Sequence, residues 1–135
     1  MINMSAGVFS IGSIILSKTI RLTPAEFATL NSSPITAVLG ILGKACLFIS
    51  GSAIPYTGST PYNEGSNLGV LDDVNFITQG QTINITNTGR SAIITQQQTS
   101  DCLSDGNGLL LFMGNDLTGG DIGYDITIIY TYVNT

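Results

Sequence analysis

From Ile14 to Leu22 apolar and polar positions alternate, with Ile14, Leu16, Lys18, Ile20 and Leu22 on one parity. Successive side chains on a strand point to opposite faces, so this set, Lys18 apart, predicts the inward row of a strand. The same period recurs in Ile122 to Val133, where Ile126, Ile128, Tyr130 and Tyr132 alternate with Thr127, Ile129, Thr131 and Val133. β-Branched and aromatic residues fill that stretch, as strands prefer. Apolar runs bounded by Gly, Pro, Asn and Ser predict further strands over Ile35 to Leu42, Lys44 to Ile54, Leu68 to Leu71, Gln81 to Asn87, Ala92 to Gln97 and Leu109 to Met113. One short helix is predicted near residues 23–31. Thr23 suits the N-cap, Pro24 the first helical position, and Glu26 follows Thr23 by three, which makes a capping box. Phe27 and Leu30 give it an apolar side, and Asn31-Ser32-Ser33-Pro34 ends it.

About eight short strands and one short helix predict an all-β chain, an antiparallel β-sandwich or jelly roll. The organisation read from the pattern is an N-terminal arm over 1–13 and a single β-sandwich domain over 14–135. The stretch Pro55 to Gly69, rich in Pro, Gly, Ser, Asn and Tyr, reads as a long loop suited to making contacts.

Charge changes this picture most. Only 10% of the 135 residues are charged, against about 25% in an average globular chain. The surface is therefore built from Ser, Thr, Asn, Gln and Gly, which are cheaper to cover than ions. The net charge is −5, and Lys18, Arg21, Lys44 and Arg90 are scattered. No stripe of cations exists to track phosphates, so direct nucleic-acid binding and anionic membrane surfaces are disfavoured as partners. No run approaches the ~20 apolar residues of a membrane-spanning helix, and the apolar N-terminus lacks the basic start of a signal peptide. Cys46 lies in an apolar run and reads as a small buried hydrophobe. Cys102 lies in a polar loop, and a disulfide between the two stays open.

The chain has no histidine, which removes Ser–His–Asp and Cys–His catalysis and imidazole zinc sites. Carboxylate pairs remain: Asp72 with Asp73, Asp101 with Asp105, Asp116 with Asp121. All sit among Gly and Asn, where Asp commonly closes turns. Asp101, Asp105 and Asn107 offer oxygen ligands for calcium, but their spacing is not that of an EF-hand loop. No enzymatic role, cofactor or metal is expected. Asn3, Asn31 and Asn84 head glycosylation-type triplets that arise readily in such a composition. Tyr56, Tyr62 and Tyr124 form a candidate sugar-stacking surface; the alternative is that they cover sheet edges or pack at subunit contacts.

Three stretches carry a resemblance. They are Leu22-Thr23-Pro24-Ala25-Glu26-Phe27 with its continuation to Ile35, the loop from Pro55-Tyr56-Thr57-Gly58 to Pro61-Tyr62, and Gly114-Asn115-Asp116-Leu117-Thr118-Gly119-Gly120-Asp121 before the final strand. In this order they resemble small structural proteins of tailed bacteriophages. The chain departs from that pattern at Gly40 to Lys44, where it is more hydrophobic. The resemblance implies a virion component, a capsid decoration (cement) protein on the capsid exterior that binds the major capsid protein. A homotrimer would match threefold positions of a shell. Partner contacts are expected from the arm, at Met1, Ile2, Val8 and Phe9, and from Tyr56 and Tyr62. The rival reading is a tail or fibre module recognising a host-surface glycan through its tyrosines.

Overall fold

The computed structural model describes residues 14–82, 89–97 and 104–135. Eight strands and one helix follow in the order β1 (Leu16–Leu22), α1 (Pro24–Ala28), β2 (Ile35–Val38), β3 (Lys44–Thr57), β4 (Leu68–Asp72), β5 (Thr78–Gln81), β6 (Ala92–Gln96), β7 (Leu109–Met113) and β8 (Gly123–Asn134). They form one antiparallel sheet in the order β1-β8-β3-β6-β5-β4-β7-β2. The pairing has a simple logic. β1 pairs with β8, β2 with β7, β3 with β6 and β4 with β5, so the chain is a long ribbon doubled back on itself. Rolling that ribbon adds the seams β3–β8, β4–β7 and β5–β6. This is the eight-stranded jelly roll.

The inner surface of the roll is the core. Tyr124, Ile126 and Ile128 of β8 are buried in it together with Phe48 of β3, Ile94 of β6 and Leu109, Leu111 and Met113 of β7. Helix α1 plugs one end. Its capping box is present: Glu26 N–H donates to Thr23 Oγ1 at 3.2 Å, and Thr23 N–H to Glu26 Oε1 at 2.9 Å. That start orients Phe27 into the core, stacked on Tyr124 at 4.3 Å between ring centroids.

Three boundaries differ from the sequence pattern. β2 ends at Val38, not Leu42, because Gly40 is pressed against the Gly106 carbonyl and the chain turns there. β3 runs on to Thr57 along β8, which shortens the long loop to 58–67. β1 is an edge strand, and of its expected inward row only Leu22 is fully buried; Ile14 is 68% exposed. The strand expected over Gln81 to Asn87 falls mostly outside the described residues, as does the arm 1–13.

Candidate assembly surface

The two ends of the roll differ in chemistry. At the end holding α1 and the loops 58–67 and 114–122, the large apolar side chains Phe27, Leu30, Tyr62, Leu117 and Ile122 are all buried. Carboxylates lock these loops from outside. Asp121 Oδ1 accepts from the Ser59 and Thr60 N–H groups at 2.9 and 2.8 Å. Asp116 Oδ1 accepts from Ser32 N–H at 3.0 Å, and Glu64 accepts from the Thr118 N–H and hydroxyl. These bonds favour the ionised forms and hold both the Asp116 and Glu64 carboxyls below their ordinary range.

The opposite end gathers the start of β1, the β2–β3 loop, the β4–β5 hairpin, the start of β7 and the end of β8. Their register fixes this: Leu16 lies opposite Tyr130, Lys44 opposite Asn134, and both Val38 and Asp72 opposite Leu109. Among the described residues ten large apolar side chains are exposed, and eight sit here: Ile14, Ile15, Leu39, Ile41, Leu42, Val74, Phe76 and Ile77. The other two, Ile54 and Ile93, lie on the outside of the β3–β6 pair. Single exposed apolar residues are ordinary, but a contiguous set marks an interaction surface.

Hydrogen bonds fix the backbone at several points of this end. The Tyr132 hydroxyl donates to the Leu39 carbonyl at 2.6 Å, and the Thr131 hydroxyl to the Ile14 carbonyl at 2.7 Å. Ile14, Leu16, Ile41, Lys44 and Tyr132 line a groove of about 180 Å³ between them. At the hairpin, Asp72 Oδ1 accepts from the Val74 and Asn75 N–H groups at 2.7 and 3.1 Å, and Phe76 N–H donates to the Asp72 carbonyl. This turn forces Phe76 to φ +58° while leaving its ring 65% exposed. A bulky residue in the left-handed region costs about 1–2 kcal/mol. Among the described residues nothing covers the ring to offset that cost.

The residues singled out from sequence are dispersed. Met1, Ile2, Val8, Phe9 and Asp101 lie outside the described residues. Tyr56 is half-buried, with the Arg21 guanidinium 4.0 Å over its ring, and Arg21 in turn pairs with Asp125 at 2.9 Å. Tyr62 is 3% exposed and its hydroxyl donates to the Ile122 carbonyl at 2.7 Å. Burial pushes it up to about 12. Tyr124 is fully buried. The three rings therefore do not form one exposed stacking face, because two of them complete the core around Phe27.

The other polar candidates act on the backbone. Asp73 Oδ1 accepts from Gly108 N–H at 2.7 Å, and Asp105 Oδ1 accepts from the Thr135 hydroxyl at 2.7 Å. Asn107 is fully buried; it accepts from Cys46 N–H and donates to the Cys46 carbonyl. Among the described residues no group of three acidic or sulfur ligands comes together. Cys46 is a free, buried thiol pushed up to about 12 by burial and the nearby Asp73 and Asp72, and Cys102 lies outside the described residues.

The apolar end is not distinct in the sequence, because Ile35 to Leu42 has the composition of one continuous strand. The signal was Gly40 and Gly43, spaced three apart within the apolar run.

No protein-family model matches the chain, and no curated protein matches it. In three dimensions it is similar to a chain of the cyanophage Pam1 capsid asymmetric unit, with a TM-score of 0.50 and 14% identity over 98% of this chain and 94% of that one. A likeness at that identity is a likeness of fold, and it extends over the whole jelly roll rather than one half of it.

Proposed function

We propose that this chain is a non-enzymatic structural protein of a tailed-bacteriophage particle, a capsid decoration (cement) protein that seats its apolar end on a shell of major capsid protein. The observation that carries the reading is the segregation of exposed apolar side chains to the end bearing Leu39, Leu42 and Phe76. Coverage of that end would remove it from water and would offset the backbone strain at Phe76. The end-to-end similarity to a capsid chain supports the same reading. The sparse charge suits a surface largely covered by neighbours, since few ions need desolvation. In this reading the protein is a homotrimer on the capsid exterior. Met1, Ile2, Val8 and Phe9, which precede the apolar end in sequence, and Tyr56 add contacts.

The test is co-sedimentation with particles stripped of this protein. Wild type and Ile93→Asp pellet with particles, because Ile93 lies away from the apolar end. Leu42→Asp and Phe76→Asp stay in the supernatant. Failure of wild type to pellet, or equal pelleting of all four proteins, overturns the proposal.

A further inference from the structure

The outer face of the β5–β4–β7 part of the sheet carries a recess of about 330 Å³, within the roughly 300–1,000 Å³ of small-molecule sites. Gly69 and Leu71 of β4 and Phe112 of β7 form its floor, and Thr78 and Gln81 of β5 and Asn115 supply polar groups. Two loops wall it, joined where Gly114 N–H donates to Ser66 Oγ at 3.1 Å. Among the described residues no lining residue is ionisable.

Gly69 is the informative residue. It lies inside β4, opposite Gln81 on one side and Phe112 on the other. Glycine weakens a strand interior, and where it occurs it marks a bulge, a bend or the close approach of a backbone or ligand. Pairing with β7 is regular through Gly69, the register shift against β5 falls beyond it between Val70 and Leu71, and the φ of Gly69 lies outside the left-handed region. A Cβ placed there meets nothing nearer than 3.8 Å. Neither turn geometry nor packing among the described residues requires glycine, and the missing side chain leaves the floor open.

The lining chemistry selects a ligand class. The Gln81 amide offers both donor and acceptor, and it makes no hydrogen bond to the described residues. Asn115 Nδ2 donates to the Asp116 carbonyl, which leaves Oδ1 as an acceptor. With neither a cation nor a carboxylate among the described lining residues, the recess suits a neutral ligand better than phosphates, carboxylates, amines or metals. We propose that this recess binds a neutral sugar residue, its C–H face over Phe112 and Gly69 and its hydroxyls on the Gln81 and Asn115 amides. The proposal is independent of the virion reading.

The test is an NMR titration of the ¹⁵N-labelled chain with glucose, galactose, mannose and N-acetylglucosamine, with glucose 6-phosphate as the charged comparator. At least one neutral sugar shifts the amides of Gly69, Gln81, Phe112 and Asn115. Gly69→Val fills the floor with a residue strands favour; it keeps the fold and weakens binding about tenfold or more. Gln81→Ala leaves the floor open, also weakens binding, and carries the test should Gly69→Val fail to fold. The proposal is overturned if no neutral sugar shifts these amides, if both variants bind as wild type, or if the phosphorylated sugar binds as tightly.

Discussion

Three side-chain amides take the place of a strand beside the first half of β3, and removing one of them has a calculable effect. Cys46 to Phe48 pair with β8 on one side, but β6 joins the other side only from Ser50 onward. Across that gap Gln79 Oε1 accepts from Phe48 N–H at 2.8 Å and its Nε2 donates to the Cys46 carbonyl at 3.1 Å. Asn107 accepts from Cys46 N–H at 2.6 Å and donates to the same carbonyl at 3.0 Å. Gln96 Nε2 donates to the Phe48 carbonyl at 2.9 Å. Gln79 is 1% exposed and Asn107 fully buried, whereas Gln96 is exposed. Gln79→Met keeps most of the volume and orphans the Phe48 N–H, which costs about 1–3 kcal/mol. Unfolding entropy of about 2.1 cal/mol/K per residue gives this chain roughly 0.28 kcal/mol/K, so a 2 kcal/mol loss lowers Tm by about 7 °C. Asn107→Leu orphans the Cys46 N–H and falls by a similar amount. Gln96→Met leaves a carbonyl that water can reach and loses less than about 0.5 kcal/mol. Each buried single variant leaves the Cys46 carbonyl one amide; the double variant leaves none and exceeds the sum of the singles by about 1 kcal/mol. Thermal unfolding by circular dichroism at fixed concentration, with urea titration for the free energies, measures all four. A Gln79→Met Tm within about 1 °C of wild type, or a loss in Gln96→Met as large as in Gln79→Met, would refute the reasoning.

Phe76→Gly relieves the left-handed strain and raises stability by about 1 kcal/mol in urea titration; if the exposed ring serves the proposed contact, it also weakens particle association. Burial raises the Cys46 thiol from 9.0 to about 12, so its stabilising contribution is complete below pH 9 and is lost as pH rises from there toward 12. Urea titrations across that range should show a shallower alkaline decline in Cys46→Ala than in wild type. Glu64, held below its ordinary 4.5 by Thr118, contributes stability that is present above pH 4.5 and is lost as pH falls through its depressed folded value. The stability gap between wild type and Glu64→Gln should therefore close on acidification, and a gap constant with pH would contradict the assignment.

The parts of the fold legible from sequence are those whose local pattern and tertiary role coincide. β8 alternates because one of its faces is core, and Thr23, Pro24 and Glu26 start a helix through bonds they make with one another. The rest depends on what the chain folds against. Leu39 to Leu42 have the composition of a buried strand and lie outside, since apolar character alone does not reveal which side of a turn it will occupy. Tyr62 sits in a loop composition and lies inside, because Gly120 lets the backbone close over its ring, where a Cβ would come within 2.6 Å. Gln79 and Asn107 are polar residues buried to serve a neighbouring strand's backbone, a need set by where β6 stops. The candidate assembly surface was visible only as a surplus of apolar residues near Gly40 and Gly43. The recess at Gly69 required the sheet order, which brings β4, β5 and β7 side by side.

The central claim is that the apolar end of this jelly roll is a seat for a shell. A reconstruction of particles carrying the chain measures it directly. The account predicts density for the roll on the capsid exterior, with Leu39, Leu42 and Phe76 against the major capsid protein and the helix α1 end outward. Particles lacking the chain, or a roll seated with that apolar end facing solvent, would contradict it.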